Sequence, residues 1–172
     1  MCELRDLLLS LPIPHNGKTG WPWIEASEPL PDRTPDGSQW PKISIVTPSY
    51  NQGQYLEETI RSVLLQNYPN LEYIIIDGGS TDGSVEIIKK YEPWLAFWES
   101  KKDRGQSHAI NKGFVRSTGK IMAWINSDDY YIKGAFAKII ETFSQFDTQW
   151  TAGICNIISD STIIGRGKSD PN

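Results

Sequence analysis

The segment LEYIIID, residues 71–77, limits what this chain can fold into more than any other stretch. Its apolar residues run without interruption instead of alternating with polar ones, which is typical of a parallel strand buried on both faces. A parallel strand needs a long crossover connection to its neighbour, and that connection is usually a helix. The chain around this segment should therefore alternate between strands and helices.

The patterns on either side of this segment do alternate between strand and helix. Residues 42–50, KISIVTPSY, predict the first strand, and residues 53–67 carry apolar side chains at helical spacing. The apolar face of that helix consists of Leu56, Ile60, Val63 and Leu64. The remaining predicted elements are helix 80–91, strand 94–100, helix 105–118, strand 120–126, helix 134–143 and a hairpin over 151–165 with its turn at Asp160. This order predicts an α/β fold with a mostly parallel sheet flanked by helices.

The first 41 residues differ in composition, which predicts two parts: an N-terminal arm (1–41) and an α/β domain (42–172). LRDLLLSLPIP near the start is typical of a short amphipathic helix that packs on a neighbour. Contact with a membrane surface is the alternative, which its few charges do not favour. The stretch from Pro12 to Pro41 is rich in Pro, Gly and Trp without periodicity, so we expect an extended arm held to a surface by its tryptophans.

Charge and cysteine content exclude several classes of protein. The net charge of −4 argues against a nucleic-acid-binding protein that relies on a basic surface. Cys2 and Cys155 lie too far apart for metal-ligand spacing, so we expect a reduced, cytoplasmic chain. No apolar run approaches the ~20 residues of a membrane span, and no cleavage site typical of a signal peptide follows the first helix.

Polar clusters follow three of the predicted strands, at the point where each strand ends. They are TPSYN (47–51), DGGSTDG (77–83) and NSDD (126–129). Ligands of parallel α/β sheets bind beyond the carboxyl ends of the strands. The sequence therefore predicts one ligand-binding crevice that all three clusters line.

The cluster DGGSTDG differs from a dinucleotide-binding turn. It lacks the G-x-G-x-x-G spacing, and the carboxylates of Asp77 and Asp82 would repel a pyrophosphate lying in the turn. Carboxylates are better suited to the imide or amine edge of a base, or to ribose hydroxyls. The structural alternative is a tight glycine turn in which Asp82 caps the next helix.

Asp128 and Asp129 place two adjacent carboxylates at the end of a strand, where they repel each other unless a cation compensates them. Mg²⁺ and Mn²⁺ take oxygen ligands from one or two carboxylates and complete their coordination with phosphate oxygens and water. Such an ion would also neutralise negative charge on a departing diphosphate. An acid–base pair and a solvated turn that caps the next helix are the alternatives.

The segment KDRGQSHAINKG supplies a basic group near these acids. Arg104, next to Gly105, indicates either a phosphate contact or an ion-pair partner for the carboxylates. His108 stands alone at the start of the predicted helix, and a structural interpretation is favoured for it over a functional contact.

Four motifs in order resemble the family 2 glycosyltransferases of the GT-A fold: ISIVTPSYNQGQYLEETIRSVLLQ, EYIIIDGGSTDGS, DRGQSHAINKG and WINSDDYY. The resemblance covers roughly residues 42–165 and is far more specific than any single motif. It implies transfer of a sugar from a nucleotide-diphosphate donor, expected to be a UDP-sugar, to a hydroxyl acceptor, with inversion and with Mn²⁺ or Mg²⁺. The implied acceptor is a glycan or lipid-linked glycan, which would bring the protein to the inner face of a membrane.

The resemblance also assigns roles to residues of this chain. The expected donor-binding residues are Thr47, Pro48, Tyr50, Asn51, Asp77, Gly79, Ser80, Asp82, Arg104, Gly105 and Asp128, and the expected metal ligands are Asp128 and Asp129. Within this set, the residues at the end of the first strand and in the turn after it are expected to hold the nucleotide base, and Asp77 is expected to read it. The acidic pair is expected to bind the ribose and the metal–diphosphate.

The chain departs from the family pattern at three points. Asn126 stands where the family's acidic motif commonly begins with Asp, and His108 stands where relatives often carry an acid. The family's general base follows the last strand seen here, and no matching motif surrounds Asp147, Asp160 or Asp170. We therefore expect the acceptor half and its base beyond residue 172. A sheet cut before that half would expose apolar surface and favour a homo-oligomer.

Two other functions remain open on the sequence. A non-catalytic nucleotide-sugar-binding fragment is compatible with the missing base. A sugar nucleotidylyltransferase is less favoured, because it requires a basic, Gly-rich phosphate loop after the first strand and TPSYNQGQY contains neither Lys nor Arg.

Overall fold

A computed structural model of the 172-residue chain describes residues 4–14, 17–146, 148–153, 155–159 and 162–167. The chain forms two compact units, Met1–Phe136 and Ala137–Asn172. The N-terminal arm belongs to the first unit together with the parallel sheet.

The first unit has the strand and helix order that the sequence predicts. Its elements are α1 (Leu4–Ser10), β1 (Ile43–Ser49), α2 (Gly53–Leu64), β2 (Leu71–Asp77), α3 (Ser84–Tyr91), a 3₁₀ turn (Glu92–Trp94), β3 (Phe97–Ser100), α4 (Gln106–Arg116) and β4 (Ile121–Trp124). The four strands form one sheet in the order β3-β2-β1-β4, and every neighbouring pair is parallel. The predicted α/β architecture with a parallel sheet is confirmed. The third strand is shorter than predicted, because residues 92–94 form the 3₁₀ turn.

The two central strands are in register from end to end. β1 pairs with β2 from Ile43 opposite Leu71 to Ser49 opposite Asp77. All seven residues of β1 are buried, as are the last five of β2. Because both strands end at the same level, the turns that follow them lie side by side at one edge of the sheet.

Helix α4 packs closely on β1 and β2. Its Gly113 lies so near to Val46 that an added Cβ would be 2.3 Å from Val46 Cγ1. The core on this face consists of Val46, Ile74, Ile76 and Ala109, with Phe97 and Phe114 packed against them. The close approach fixes where the N-terminal end of α4 lies relative to the sheet.

Helix α2 buries the apolar face that its periodicity predicts and contacts α3. Leu56, Ile60, Val63 and Leu64 are all at most 4% exposed. The same helix also buries a cation, Arg61, whose guanidinium donates hydrogen bonds to the carbonyl groups of Pro12, Pro22 and Trp23 and to the hydroxyl of Tyr91. Arg61 thereby binds the extended arm to the domain.

The second unit consists of most of α5 (Ala135–Gln145) and an antiparallel hairpin of β5 (Cys155–Ser159) and β6 (Thr162–Gly167). The pairing shifts register between Ile157 and Ile158, which is the signature of a β-bulge. The predicted turn residue Asp160 lies outside the described residues. In the part of the chain that the structure describes, no helix has the length and apolar character required to cross a membrane.

Candidate functional site

Four hydrogen bonds join the turn after β1 to the turn after β2. They run from Gly78 N–H to Ser49 O (2.8 Å), from Asn51 N–H to Ser80 Oγ (2.8 Å), from Thr81 N–H to Asn51 Oδ1 (2.9 Å) and from Gly53 N–H to Asp82 Oδ2 (2.8 Å). Asn51 has φ of 52°, a left-handed conformation that asparagine tolerates better than most residues. The two turns therefore form one continuous polar surface, as expected from their positions at the strand ends.

Asp77 is the organising group of the second turn. Its carboxylate is fully buried and accepts hydrogen bonds from the N–H groups of Gly79 and Ser80 and from the hydroxyl groups of Ser80 and Ser100. Three of these bonds end on Oδ2, and the bond from the Ser80 hydroxyl ends on Oδ1. The side chain that is expected to read a base thus also shapes the glycine turn, and its Oδ1, which accepts a single bond from the described residues, retains acceptor capacity.

Asp82 joins the same two turns from the exposed side. Its carboxylate accepts from Gly53 N–H, Ser84 N–H and Ser84 Oγ. Burial acts to raise the pKa of Asp82, but these hydrogen bonds outweigh it and lower the pKa below the usual value. The expected N-cap is different, because the cap position of α3 belongs to Gly83, which has φ of 94°, and Asp82 lies one residue earlier.

Thr47 and Pro48 lie within β1 rather than at its exposed end. Both are buried, and Thr47 Oγ1 lies 3.0 Å from the hydroxyl of Tyr73, whose pKa burial raises above its usual value. Ser49, the last residue of the strand, is 5% exposed, and its Oγ has no hydrogen-bond partner among the described residues. This unpaired hydroxyl lies opposite Asp77 in the β1–β2 register, so the strand end carries an unused polar group.

Tyr50 and Asp103 both lie close to Gly78. Tyr50 is 63% exposed, and a Cβ added to Gly78 would lie 3.2 Å from Tyr50 Cδ2 and 3.5 Å from both carboxylate oxygens of Asp103. The absence of a side chain at Gly78 therefore leaves room next to an exposed aromatic ring and a carboxylate. Sequence reasoning missed Asp103; its signal was a carboxylate two residues before the glycine of KDRG.

The loop before α4 is ordered by two local hydrogen bonds. Asp103 Oδ1 accepts from Gly105 N–H at 2.7 Å, and His108 Nδ1 accepts from Arg104 N–H at 3.1 Å. The bond to His108 supports the structural interpretation of that residue. Arg104 is exposed, and within the described residues its guanidinium forms no ion pair with Asp128, Asp129 or any other acid.

The acidic pair lies in the turn that follows β4, and both residues are exposed. Asp129 Oδ2 accepts from Asn126 Nδ2 at 3.1 Å, and Asn126 Oδ1 in turn accepts from Gln106 Nε2 at 2.6 Å. This chain of amides connects the first residue of α4 to the acidic turn. Gln106 is a second residue that sequence reasoning missed, because the contact spans 20 residues of chain.

The acidic pair has the ligand chemistry of a hard divalent cation. Two neighbouring carboxylates are exposed, and one of the four oxygens accepts the bond from Asn126. Among the described residues, no group of three or more His, Cys, Asp or Glu side chains could enclose a metal ion. Mg²⁺ and Mn²⁺ bound through one or two carboxylates retain positions for phosphate oxygens and water, so the pair fits an ion that is shared with a ligand.

The fold places this chain among the GT-A glycosyltransferases. It is similar to S. aureus TarS residues 1–349, solved in complex with UDP-GlcNAc, with a TM-score of 0.53 and 27% identity over 60% of this chain and 31% of that one. It is also similar to the mannosyltransferase PcManGT from Pyrobaculum calidifontis, solved with GDP-Man and Mn²⁺, with a TM-score of 0.55 and 24% identity over 69% of this chain and 35% of that one.

Within that class, the chain belongs to glycosyl transferase family 2, whose model matches residues 44–169. It is 38% identical over 106 residues to the putative teichuronic acid biosynthesis glycosyltransferase TuaG of Bacillus subtilis (strain 168), a match that covers 59% of this chain and 41% of TuaG. An uncharacterized glycosyltransferase of Nostoc sp. (strain PCC 7120) is 33% identical over 127 residues, covering 71% of this chain and 39% of the relative. The chain therefore spans about two fifths of the length of these relatives.

Proposed function

We propose that this chain is the donor-binding part of a metal-dependent, inverting glycosyltransferase that takes sugar from a nucleotide-diphosphate donor, a UDP-sugar, and passes it to a hydroxyl group. The observation that carries the proposal is the hydrogen-bond network at the strand ends, which binds the β1 and β2 turns to each other and α4 to the acidic pair. Two structural neighbours were solved with a nucleotide sugar, which supports this ligand class.

Different residues of the site would bind different parts of the donor. Tyr50 offers an exposed ring face for a nucleotide base, and the turn that Asp77 organises presents backbone groups beside it. Asp128 and Asp129 would hold the divalent cation, and Arg104 adds an exposed positive charge near the same edge. When bound, the cation would supply positive charge to the diphosphate leaving group.

The acceptor side of the reaction stays a prediction. An inverting displacement requires a base that takes the proton from the acceptor hydroxyl, and the sequence predicts this base beyond residue 172. The later acids Asp147, Asp160 and Asp170 lie outside the described residues. The implied acceptor is a glycan or lipid-linked glycan. Strong acceptor-dependent sugar transfer by the 172-residue chain would contradict the prediction about the base.

The proposal is tested by calorimetric titration of UDP into the chain with and without Mn²⁺. We expect Mn²⁺ to strengthen UDP binding, and Asp129→Ala to remove that gain while weak metal-free binding persists. Asp32→Ala is the matched control, since it removes an exposed carboxylate from the arm. UDP affinity that is the same with and without Mn²⁺ and unchanged in Asp129→Ala would refute the site.

Asp77→Asn separates the base site from the metal site. An amide in place of the buried carboxylate has one accepting oxygen instead of two, so at least one of the four hydrogen bonds must be lost or reversed. We expect weaker UDP binding both with and without Mn²⁺. If Asp77→Asn lost only the Mn²⁺-dependent part, Asp77 would belong to the metal site instead.

A further inference from the structure

Three polar side chains in α2 and directly after its C-terminal end are buried. They are Thr59, Ser62 and Gln66, which are 1%, 0% and 4% exposed. Burying three polar side chains is unfavourable unless each finds a hydrogen-bond partner. All three find partners in the backbone of residues 129–132, which begins at the second acid of the pair.

The hydrogen bonds are specific in direction and position. Thr59 Oγ1 donates to Asp129 O at 2.6 Å, and Ser62 Oγ accepts from Tyr131 N–H at 3.1 Å while its own proton goes to Thr59 O. Gln66 Nε2 donates to Ile132 O at 3.0 Å. Residues 129–132 have no helix or strand of their own, so these side chains supply the partners that regular structure would otherwise supply.

The N-terminal arm holds the same backbone from other directions. Trp21 Nε1 donates to Tyr131 O at 2.8 Å, and Ser27 Oγ accepts from Gly134 N–H at 2.9 Å. An ion pair of 3.0 Å joins Glu25 to Lys133. The backbone from Asp129 to Gly134 is thus bound to both α2 and the arm, whereas the carboxylates of Asp128 and Asp129 remain exposed.

We propose that Thr59 and Ser62 are positioning residues for the acidic pair: they fix the backbone of Asp129 and Tyr131, and so set where the carboxylates meet a divalent cation. This inference rests on the proposed function, because it assumes that the pair binds the cation. The bond from Thr59 reaches the acid's own carbonyl group, so its loss frees the backbone at the ligand itself. Groups that orient a metal ligand typically contribute 10- to 100-fold to metal affinity. Because Thr59 acts through the backbone, we expect roughly tenfold, the lower end of that range.

The test measures the Mn²⁺ concentration that gives half of the metal-dependent gain in UDP affinity. Thr59→Val keeps the shape of the side chain and removes the donor, and it should raise this midpoint about tenfold. Thr59→Ser keeps the hydroxyl and should restore the midpoint to near that of the unmodified chain. Thr118→Val is the matched control, because its hydroxyl bonds to Glu72 at the start of the strands rather than at their ends. Metal-free UDP affinity should be unchanged in all three variants.

A second variant and a second measurement keep the inference testable if Thr59→Val folds poorly. Ser62→Ala removes the acceptor of Tyr131 N–H, so this amide should exchange with solvent faster while amides of β1 keep their protection. If the unmodified chain binds UDP with Mn²⁺ and both variants have an unaltered midpoint, the positioning role is overturned and the proposed function stands. If the unmodified chain shows no Mn²⁺ dependence, both fail together.

Discussion

The contact between Gly113 on α4 and Val46 on β1 allows a quantitative prediction. In Gly113→Ala, the new Cβ would lie 2.3 Å from Val46 Cγ1 and 2.8 Å from Cγ2. Carbon atoms in contact normally lie about 3.5–4.0 Å apart. The helix must therefore move away from the sheet by about 1 Å, or Val46 must leave its position. Val46 is fully buried on a central strand, so the helix is the element that moves.

The expected cost follows from two opposing effects. Overpacking of a well-packed core costs about 1–3 kcal/mol, and a clash this short belongs at the upper end. Replacing a helical glycine with alanine recovers about 1 kcal/mol of helix propensity. The net loss of unfolding free energy should be about 2 kcal/mol, which lowers the melting temperature of a chain of this size by roughly 4–8 °C. Urea unfolding followed by circular dichroism measures it.

A double-mutant cycle with Val46→Ala tests the cause. Removing both γ-carbons leaves Val46 Cβ as the nearest of these atoms, at 3.1 Å from the added Cβ, which small adjustments can accommodate. The double variant should therefore lose about 2 kcal/mol less unfolding free energy than the summed losses of the two single variants. Additivity within about 0.5 kcal/mol would refute the reasoning. Gly153→Ala is the control, since an added Cβ there meets no atom within 4 Å.

Two further predictions concern the buried arginine and an ion pair. Arg61→Leu should lower the unfolding free energy by about 3–5 kcal/mol and make the arm sensitive to proteases, because three arm carbonyls lose a charged donor; urea unfolding within 1 kcal/mol of the unmodified chain would contradict this. The hydrogen bond and charge of Lys112 lower the pKa of Glu99 from 4.5, so this pair should stabilise the fold above pH 4.5 and lose its effect as the pH falls through the lowered pKa. Comparing Glu99→Gln with the unmodified chain across pH 3–7 checks it: the stability difference should disappear at the acid end.

The parallel sheet was predictable because its signals are local. Continuous apolar strands and amphipathic helices are recognised from the pattern of residues within one short stretch of sequence. The strand-end position of each polar cluster then follows from the order of these elements. The apolar face of α2 was predicted residue by residue for the same reason. Arg61 shows the limit of this approach. A cation next to that apolar face is expected in solvent, and only the folded arm explains why it is buried.

The details of the site depend on contacts between distant segments, which no local pattern contains. Asp77 stood at a strand end with glycines after it, so the sequence located the turn correctly. Its fourth donor, Ser100, comes from β3, so one of the hydrogen bonds that hold this buried carboxylate comes from a neighbouring strand. Asp103 beside Gly78 is equally non-local. The sequence therefore predicted that the turns after β1 and β2 adjoin, while the burial of individual carboxylates required the three-dimensional structure.

Asn126 illustrates how the structure accounts for a departure from a family pattern. The family's acidic motif commonly begins with Asp, and by sequence alone Asn126 looked like a lost carboxylate. In the structure its amide accepts from Gln106 and donates to Asp129, two roles that an ionised carboxylate cannot combine. An aspartate here would place a third negative charge beside Asp128 and Asp129 and would repel the carboxylate that Asn126 now orients. Asn126 and Gln106 thus form a matched pair that links α4 to the acidic turn, and the two carboxylates that remain are sufficient for a cation that also binds phosphate.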